Sequence, residues 1–308
     1  MLSAMLMAAV SSGCSSDNRS GRPDLAWQPV DSLNSLLPDG VEVFQGSDPS
    51  WRLKAWYARI DPSRENVRLA VLRSDDSDAR ETTSSFAYDQ GACVVLNGGY
   101  FRMDLDPSRP IGLLLVDSTM IQRPTPSVLR NEVSYPVARA AVGIDEEGEA
   151  DIAWVAGSDS GLVALDLPPP NRAESPVDSL DYSTAVVWPM RDALSAGPSL
   201  ISDGNIRITV DEEVFFGSSI PDVHPRSAIG ITANREVIML VVDGRQSASR
   251  GVDLDDLAGI LLDLGSIEAM NLDGGGSSTL VVDGVRLNRP SGKDSEREVA
   301  SAVAVFCE

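Results

Sequence analysis

One amphipathic helix stands in a chain otherwise patterned for strands, and that imbalance limits the fold more than any other feature. In Asp253–Leu264 the residues Leu254, Leu257, Ile260, Leu261 and Leu264 fall on one helical face. Asp253 is a suitable N-cap and Gly265 a suitable stop. Elsewhere apolar residues alternate with polar ones or form short runs. Trp51–Ile60 and Val67–Leu72 alternate as half-buried strands do, with turn chemistry at Asp61-Pro62-Ser63 between them. Cys93–Leu96, Ile111–Asp117, Ala228–Thr232, Val237–Val242, Glu268–Leu272, Ser278–Val282 and Ala300–Phe306 read as further strands. Ile206–Val210 and Val214–Phe216 read as a hairpin, and Phe86–Gly91 as a short helix ending at its glycine. So few helices cannot cover both faces of a doubly wound sheet. The expected class is α+β, a single mixed-sheet domain rich in strands with a few packed helices. With 308 residues and 43% hydrophobic content, the chain can bury such a core without disulfide staples.

The charge balance restricts partners. Forty-six acidic against 25 basic side chains leave a net charge of −21. Such a surface repels nucleic acid and anionic lipid, so no nucleic-acid partner is expected. An anionic substrate would need a local cluster of cations. Lys54 and Lys293 are the only lysines, so the basic residues are nearly all arginine. Genomic base composition accounts for that bias, and so does adaptation to high salt.

Residues 2–10 form an apolar run followed by Ser11-Ser12-Gly13-Cys14, small residues before a cysteine as in a bacterial lipobox. The expected organisation is a signal and lipobox segment over 1–20, a polar tether over 21–39 and one folded domain over 40–308. Export to the bacterial cell envelope, periplasmic or outer surface, follows, with a lipid anchor at Cys14 as the one link to a membrane. No apolar run approaches the ~20 residues of a spanning helix. Cys93 and Cys307 lie in apolar runs; buried free thiols are favoured, and an oxidising compartment would also allow a disulfide. Leu167–Leu180 is rich in proline and polar residues and reads as a surface loop.

The segment Asn271-Leu272-Asp273-Gly274-Gly275-Gly276-Ser277-Ser278-Thr279 is the most informative for function. An apolar strand delivers Asp273 to a triple-glycine hairpin, and three hydroxyls follow. Consecutive glycines let the backbone approach a ligand and point N–H groups at an anion. It is not a P-loop, because no Gly-Lys-Ser/Thr follows and a strand, not a helix, comes next. Four other strand ends carry polar or glycine tips: Asn97-Gly98-Gly99-Tyr100-Phe101, Gly197-Pro198-Ser199-Leu200, His224-Pro225-Arg226-Ser227-Ala228 and Asp243-Gly244-Arg245. Convergent strand ends are where sites form.

These segments, in this order, resemble the phosphodiester glycosidase family. The matching stretches are TTSSFAYDQGACVVLNGGYF, SAGPSLISDG, HPRSAIGI, VVDGRQ, LGSIEAMNLDGGGSSTLVVDG and NRPSGKDSEREVASAVAVF. They make 40–308 a catalytic domain, with variable loops over about 117–195 that match nothing in the pattern. The resemblance implies hydrolysis of a sugar-1-phosphodiester in envelope or extracellular glycan, releasing free sugar. The substrate partner is then a phosphorylated glycan or a small sugar phosphodiester. Its phosphate is already a good leaving group, so general-acid help matters less than for an alkyl glycoside.

The residues supply what that chemistry needs. Arg226 and Arg245 are candidates to clamp the phosphate, because guanidinium forks match its oxygens. Asp273 is first choice for the carboxylate at the anomeric centre, and Asp243 second. His224, the only imidazole, and Glu298, next to Arg297, are further catalytic candidates. Asn97 and Asn271 are expected to bind sugar hydroxyls or hold the carboxylates in place, and the glycines Gly98, Gly99, Gly274, Gly275 and Gly276 to bind substrate. Ser277, Ser278 and Thr279 would donate to phosphate oxygens. Asp243 and Asp273 have the oxygen chemistry for Mg²⁺ or Ca²⁺. No ligand ladder accompanies them, and no cofactor is favoured. A non-catalytic phosphoglycan-binding lipoprotein and a metal-dependent phosphodiesterase are the competing readings.

Overall fold

The computed structural model describes residues 21–159, 161–292 and 295–308. Cys14 and the expected leader lie outside the described residues. The chain is mostly β, with a few helices packed on strand-rich layers, a mixed α+β fold.

Three antiparallel sheets surround one apolar centre. The eight-stranded sheet runs in the order Ala26–Pro29, Val41–Asp48, Leu53–Ile60, Val237–Val242, Arg226–Thr232, Ser266–Asn271, Ser199–Ser202, Asn205–Ile206. A five-stranded sheet follows the order Val285–Arg286, Leu280–Val282, Val94–Asn97, Ser301–Cys307, Val67–Arg73. A seven-stranded sheet is drawn from Leu114–Val116 through Asp192–Ser195, and a separate hairpin joins Ser127–Arg130 to Val133–Pro136.

Period-two alternation explains how these sheets share a core. Along Val237–Val242, Val237, Met239 and Val241 face the centre that all three sheets enclose. Ile238, Leu240 and Val242 face the opposite way, onto the helix Leu254–Asp263. Both faces are covered, so the strand reads as an unbroken apolar run. The Asp253 carboxylate caps that helix by accepting the Asp256 N–H at 2.8 Å. The second helix, Thr83–Gln90, covers the outer face of the five-stranded sheet through Phe86 and Ala87. Thr82 caps it, accepting the Ser85 N–H at 3.0 Å, and Gly91 closes it at φ 68°.

Several expectations change. Ala26–Pro29 pairs with Phe44–Ser47, so the stretch read as a polar tether joins the sheet from Ala26 onward. The strands flanking Asp61-Pro62-Ser63 belong to different sheets. The unplaced region 117–195 builds most of the seven-stranded sheet. The hairpin expected over 206–216 is absent: Asn205–Ile206 pairs back on Ser199–Ser202, and the chain beyond forms turns. The reason is Glu213, whose buried carboxylate gathers the N–H groups of Ala140 and Ser199, the Trp154 indole and the Thr209 hydroxyl. That carboxylate organises the segment by side-chain bonds in place of a ladder. Cys93 and Cys307 are joined as a disulfide, not left as free thiols, because the strands bearing them pair side by side.

Candidate functional site

The glycine segment is not a hairpin. Ser266–Asn271 belongs to the eight-stranded sheet and Leu280–Val282 to the five-stranded one, so residues 272–279 cross between sheets through a single turn of 3₁₀ helix at Gly275–Ser277. The crossing is pinned on both sides. Leu272 N–H donates to the Ser227 carbonyl at 2.9 Å and Asp273 N–H to the Gly98 carbonyl at 3.1 Å. Asn97, fully buried, donates its amide to the Asp273 carbonyl at 2.7 Å and accepts the Thr279 N–H at 3.1 Å. Asn97 therefore holds the loop and does not face the cleft. Gly98 and Gly99 are likewise packing glycines. A Cβ on Gly98 would sit 2.5 Å from the Ser301 hydroxyl, and one on Gly99 2.5 Å from the Ser195 carbonyl.

Asp273 emerges from this loop into a cleft with two chambers. The first, about 280 Å³, is lined by His224, Arg226, Arg245, Asn271 and the three glycines Gly274–Gly276. The second, about 460 Å³, opens on the other side. Tyr100, Ile220, Asp273 and Arg297 line both. Among the described residues, Asp273 is the one carboxylate lining either chamber. Burial pushes its pKa up to about 6; the Ser277 hydroxyl, the Arg297 charge and the Gly274 N–H oppose that shift without cancelling it. Ser277 acts through Asp273 and also accepts from Arg297 at 3.4 Å. Ser278 and Thr279 are buried behind the loop and line neither chamber.

The guanidinium groups are held by neutral acceptors. Arg226 is 2% exposed, with Nε donating to the Val252 carbonyl at 3.0 Å, Nη1 to Asn271 at 3.5 Å and Nη2 to the Asp222 carbonyl. Burial lowers its pKa to about 10. Asn271 is fixed in turn by donating to Tyr100 Oη, the Gly197 carbonyl and the Leu272 carbonyl at 2.9, 3.0 and 2.7 Å. Arg245 donates to His224 Nδ1 at 3.0 Å, and His224 Nε2–H donates to the Ser219 carbonyl at 2.7 Å. Arginine is always a donor, so the imidazole is the neutral Nε2–H form. Burial and the two arginine charges lower its pKa. Both ring nitrogens are thus occupied, and His224 orients Arg245. Among the described residues, neither Arg226, Arg245 nor Arg297 forms an ion pair with a carboxylate.

Two of the catalytic candidates also lie outside the cleft. Asp243 is buried and accepts from the Arg289 N–H at 2.9 Å and the Asn288 amide at 3.3 Å, which fixes the chain where it leaves the sheet. Burial raises its pKa despite those bonds. It shares no site with Asp273, and among the described residues no three His, Cys, Asp or Glu gather as a metal-ligand set would. Glu298 is exposed and lines neither chamber, while Val299 next to it is buried. Arg297, its neighbour, enters the cleft in its place. Gly276 leaves room for it: a Cβ there would sit 2.5 Å from Arg297 Nη2. Tyr100 was also missed, although it directly follows Asn97-Gly98-Gly99; its hydroxyl donates to the Gly197 carbonyl at 2.8 Å.

Comparison with known proteins agrees with the geometry. A bovine protein named N-acetylglucosamine-1-phosphodiester alpha-N-acetylglucosaminidase is 29% identical over 224 residues, 70% of this chain and 36% of its own length. The chain thus spans about a third of the curated relatives it matches over most of its length. The catalytic domain of the zebrafish protein of that name superposes with a TM-score of 0.60 at 22% identity, covering 94% of this chain and 86% of that one. A Synechocystis protein superposes at 0.66 with 18% identity, covering 88% and 62%. At those identities the two structures establish a shared fold. The profile of the phosphodiester glycosidase family matches residues 90–306, which takes in the strands on both sides of the loop, Ser266–Asn271 and Leu280–Val282, and the chain belongs to that family.

Proposed function

We propose that the cleft hydrolyses the glycosidic bond of a sugar-1-phosphodiester in envelope or extracellular glycan. The observation that supports this most is a lone carboxylate, Asp273, set among three guanidinium groups that lack carboxylate partners among the described residues. Arg226 and Arg245 take the phosphate oxygens, with Arg297 at the junction of the two chambers. The anomeric carbon lies at Asp273. Water adds to that carbon as the C1–O bond breaks, and the electron pair leaves with the phosphate monoester. The bridging oxygen leaves already charge-stabilised by the arginines, so one carboxylate suffices where an alkyl glycoside needs two. Asp273 acts ionised, on the water or on the developing oxocarbenium ion.

Export accompanies this reading, with the catalytic unit extended from 40–308 back to the strand Ala26–Pro29 and a lipid anchor at Cys14. The Cys93–Cys307 disulfide supports an oxidising compartment. Supplying a panel of UDP-sugars, UDP-N-acetylglucosamine among them, tests the reaction. Free sugar and UDP are expected. A sugar phosphate would assign P–O cleavage instead, and no product from any member would leave a binding protein.

A further inference from the structure

The second chamber combines an apolar wall, which suits any sugar ring, with cations that a neutral sugar does not need. One wall is apolar, with Phe101, Met103, Val128 and Phe215 along it. Besides Arg297, two further arginines, Arg130 and Arg139, line the same chamber. The Arg139 guanidinium lies 4.2 Å from the centre of the Phe215 ring, and its Nε is buried without a hydrogen-bond partner. Arg130 Nε is buried and unpartnered too, while Nη2 reaches the Val214 carbonyl at 3.4 Å.

The one carboxylate near Arg139 is Glu213, and its oxygens already accept from Ala140, Trp154, Ser199 and Thr209. Among the described residues no ion pair neutralises Arg130 or Arg139. Leaving a buried guanidinium donor unmatched is costly, and an anionic ligand would remove that cost. In a protein of net charge −21, two guanidinium groups without a salt-bridge partner, Arg139 offset only at longer range by the Glu213 charge, stand beside the cleft.

We propose that this chamber is the sugar subsite and that the sugar it takes is acidic, a uronic acid or a sugar with an equivalent carboxylate. The inference rests on the hydrolase reading above. With the phosphate on Arg226 and Arg245, the anomeric carbon falls at Asp273, and the ring extends into the second chamber. The C–H face of the ring lies along Phe215 and its neighbours, and the carboxylate meets Arg139 and Arg130. The hairpin Ser127–Arg130/Val133–Pro136 supplies part of that wall from the region 117–195.

The test uses UDP-glucuronic acid and UDP-glucose, which share the aglycone and differ at C6 of the sugar. Binding is measured on Asp273→Asn, which prevents turnover, and on the double variant Asp273→Asn/Arg139→Gln. The expected result is at least a tenfold preference for UDP-glucuronic acid in the first, falling to about unity in the second. Equal affinity for both sugars, no binding of UDP-glucuronic acid, or a preference that survives Arg139→Gln would overturn the assignment. Turnover by the unsubstituted protein is scored separately. Absence of product there counts against the hydrolase reading, while the binding ratio still decides the acidic-sugar one.

Discussion

At the residue scale the cleft depends on a half-buried carboxyl shared by its two chambers. Asp273 has its pKa raised to about 6 by burial, and the proposed chemistry needs it ionised. The rate constant kcat/KM should therefore rise with pH through about 6 and level off above it, a shape read directly from a pH–rate profile. The same shift has a sign for stability. A folded-state pKa above the ordinary 3.8 favours folding only while the carboxyl is protonated, and that contribution is lost as pH rises through about 6. Asp273→Asn, neutral at every pH, should then abolish turnover yet be more stable than the parent by up to ~3 kcal/mol at pH 8. The two proteins should converge near pH 3. Denaturant unfolding at both pH values checks this.

At the scale of elements, alternation and capping made the strand and helix pattern legible. Val237–Val242 is observed as expected, and the long helix, expected over Asp253–Leu264, runs Leu254–Asp263 with Asp253 as its cap. The segment 207–223 was not legible, because its order comes from one side chain and not from periodicity. Glu213 collects four donors from three parts of the chain. Glu213→Ala would strand those donors, and a loss of ~3 kcal/mol in unfolding free energy is expected. Because Ser199 follows Gly197-Pro198, and the Gly197 carbonyl holds both Tyr100 and Asn271, activity should fall more steeply than stability alone explains. Tyr100 and Arg297 escaped for a related reason: which of two sequence neighbours faces the cleft is settled by tertiary register, as Arg297 and Glu298 show.

At the scale of the whole molecule, the sheet-to-sheet crossing at 272–279 brings residues more than a hundred positions apart to one cleft. Tyr100, Arg226 and Asp273 meet there because Val94–Asn97, Arg226–Thr232 and Ser266–Asn271 present their ends on one side of the joined sheets. The sequence motifs announced the strand ends but not that the joined strands lie in different sheets, since loop length does not distinguish a hairpin from a crossing. The net charge of −21 adds a long-range field opposed to an anionic substrate, while the arginines act at contact distance. Salt screens the first more than the second. Raising ionic strength from about 0.01 to about 0.15 M, which shortens the Debye length from ~30 to ~8 Å, should increase kcat/KM for a phosphodiester several-fold.

The most direct test of the cleft's chemistry follows the oxygen. Hydrolysis of an accepted sugar-1-phosphodiester in ¹⁸O-labelled water, read by mass spectrometry, should place the label in the released sugar and none in the phosphate. Label in the phosphate would show that the P–O bond breaks, and Asp273 would lose its assigned place at the anomeric carbon.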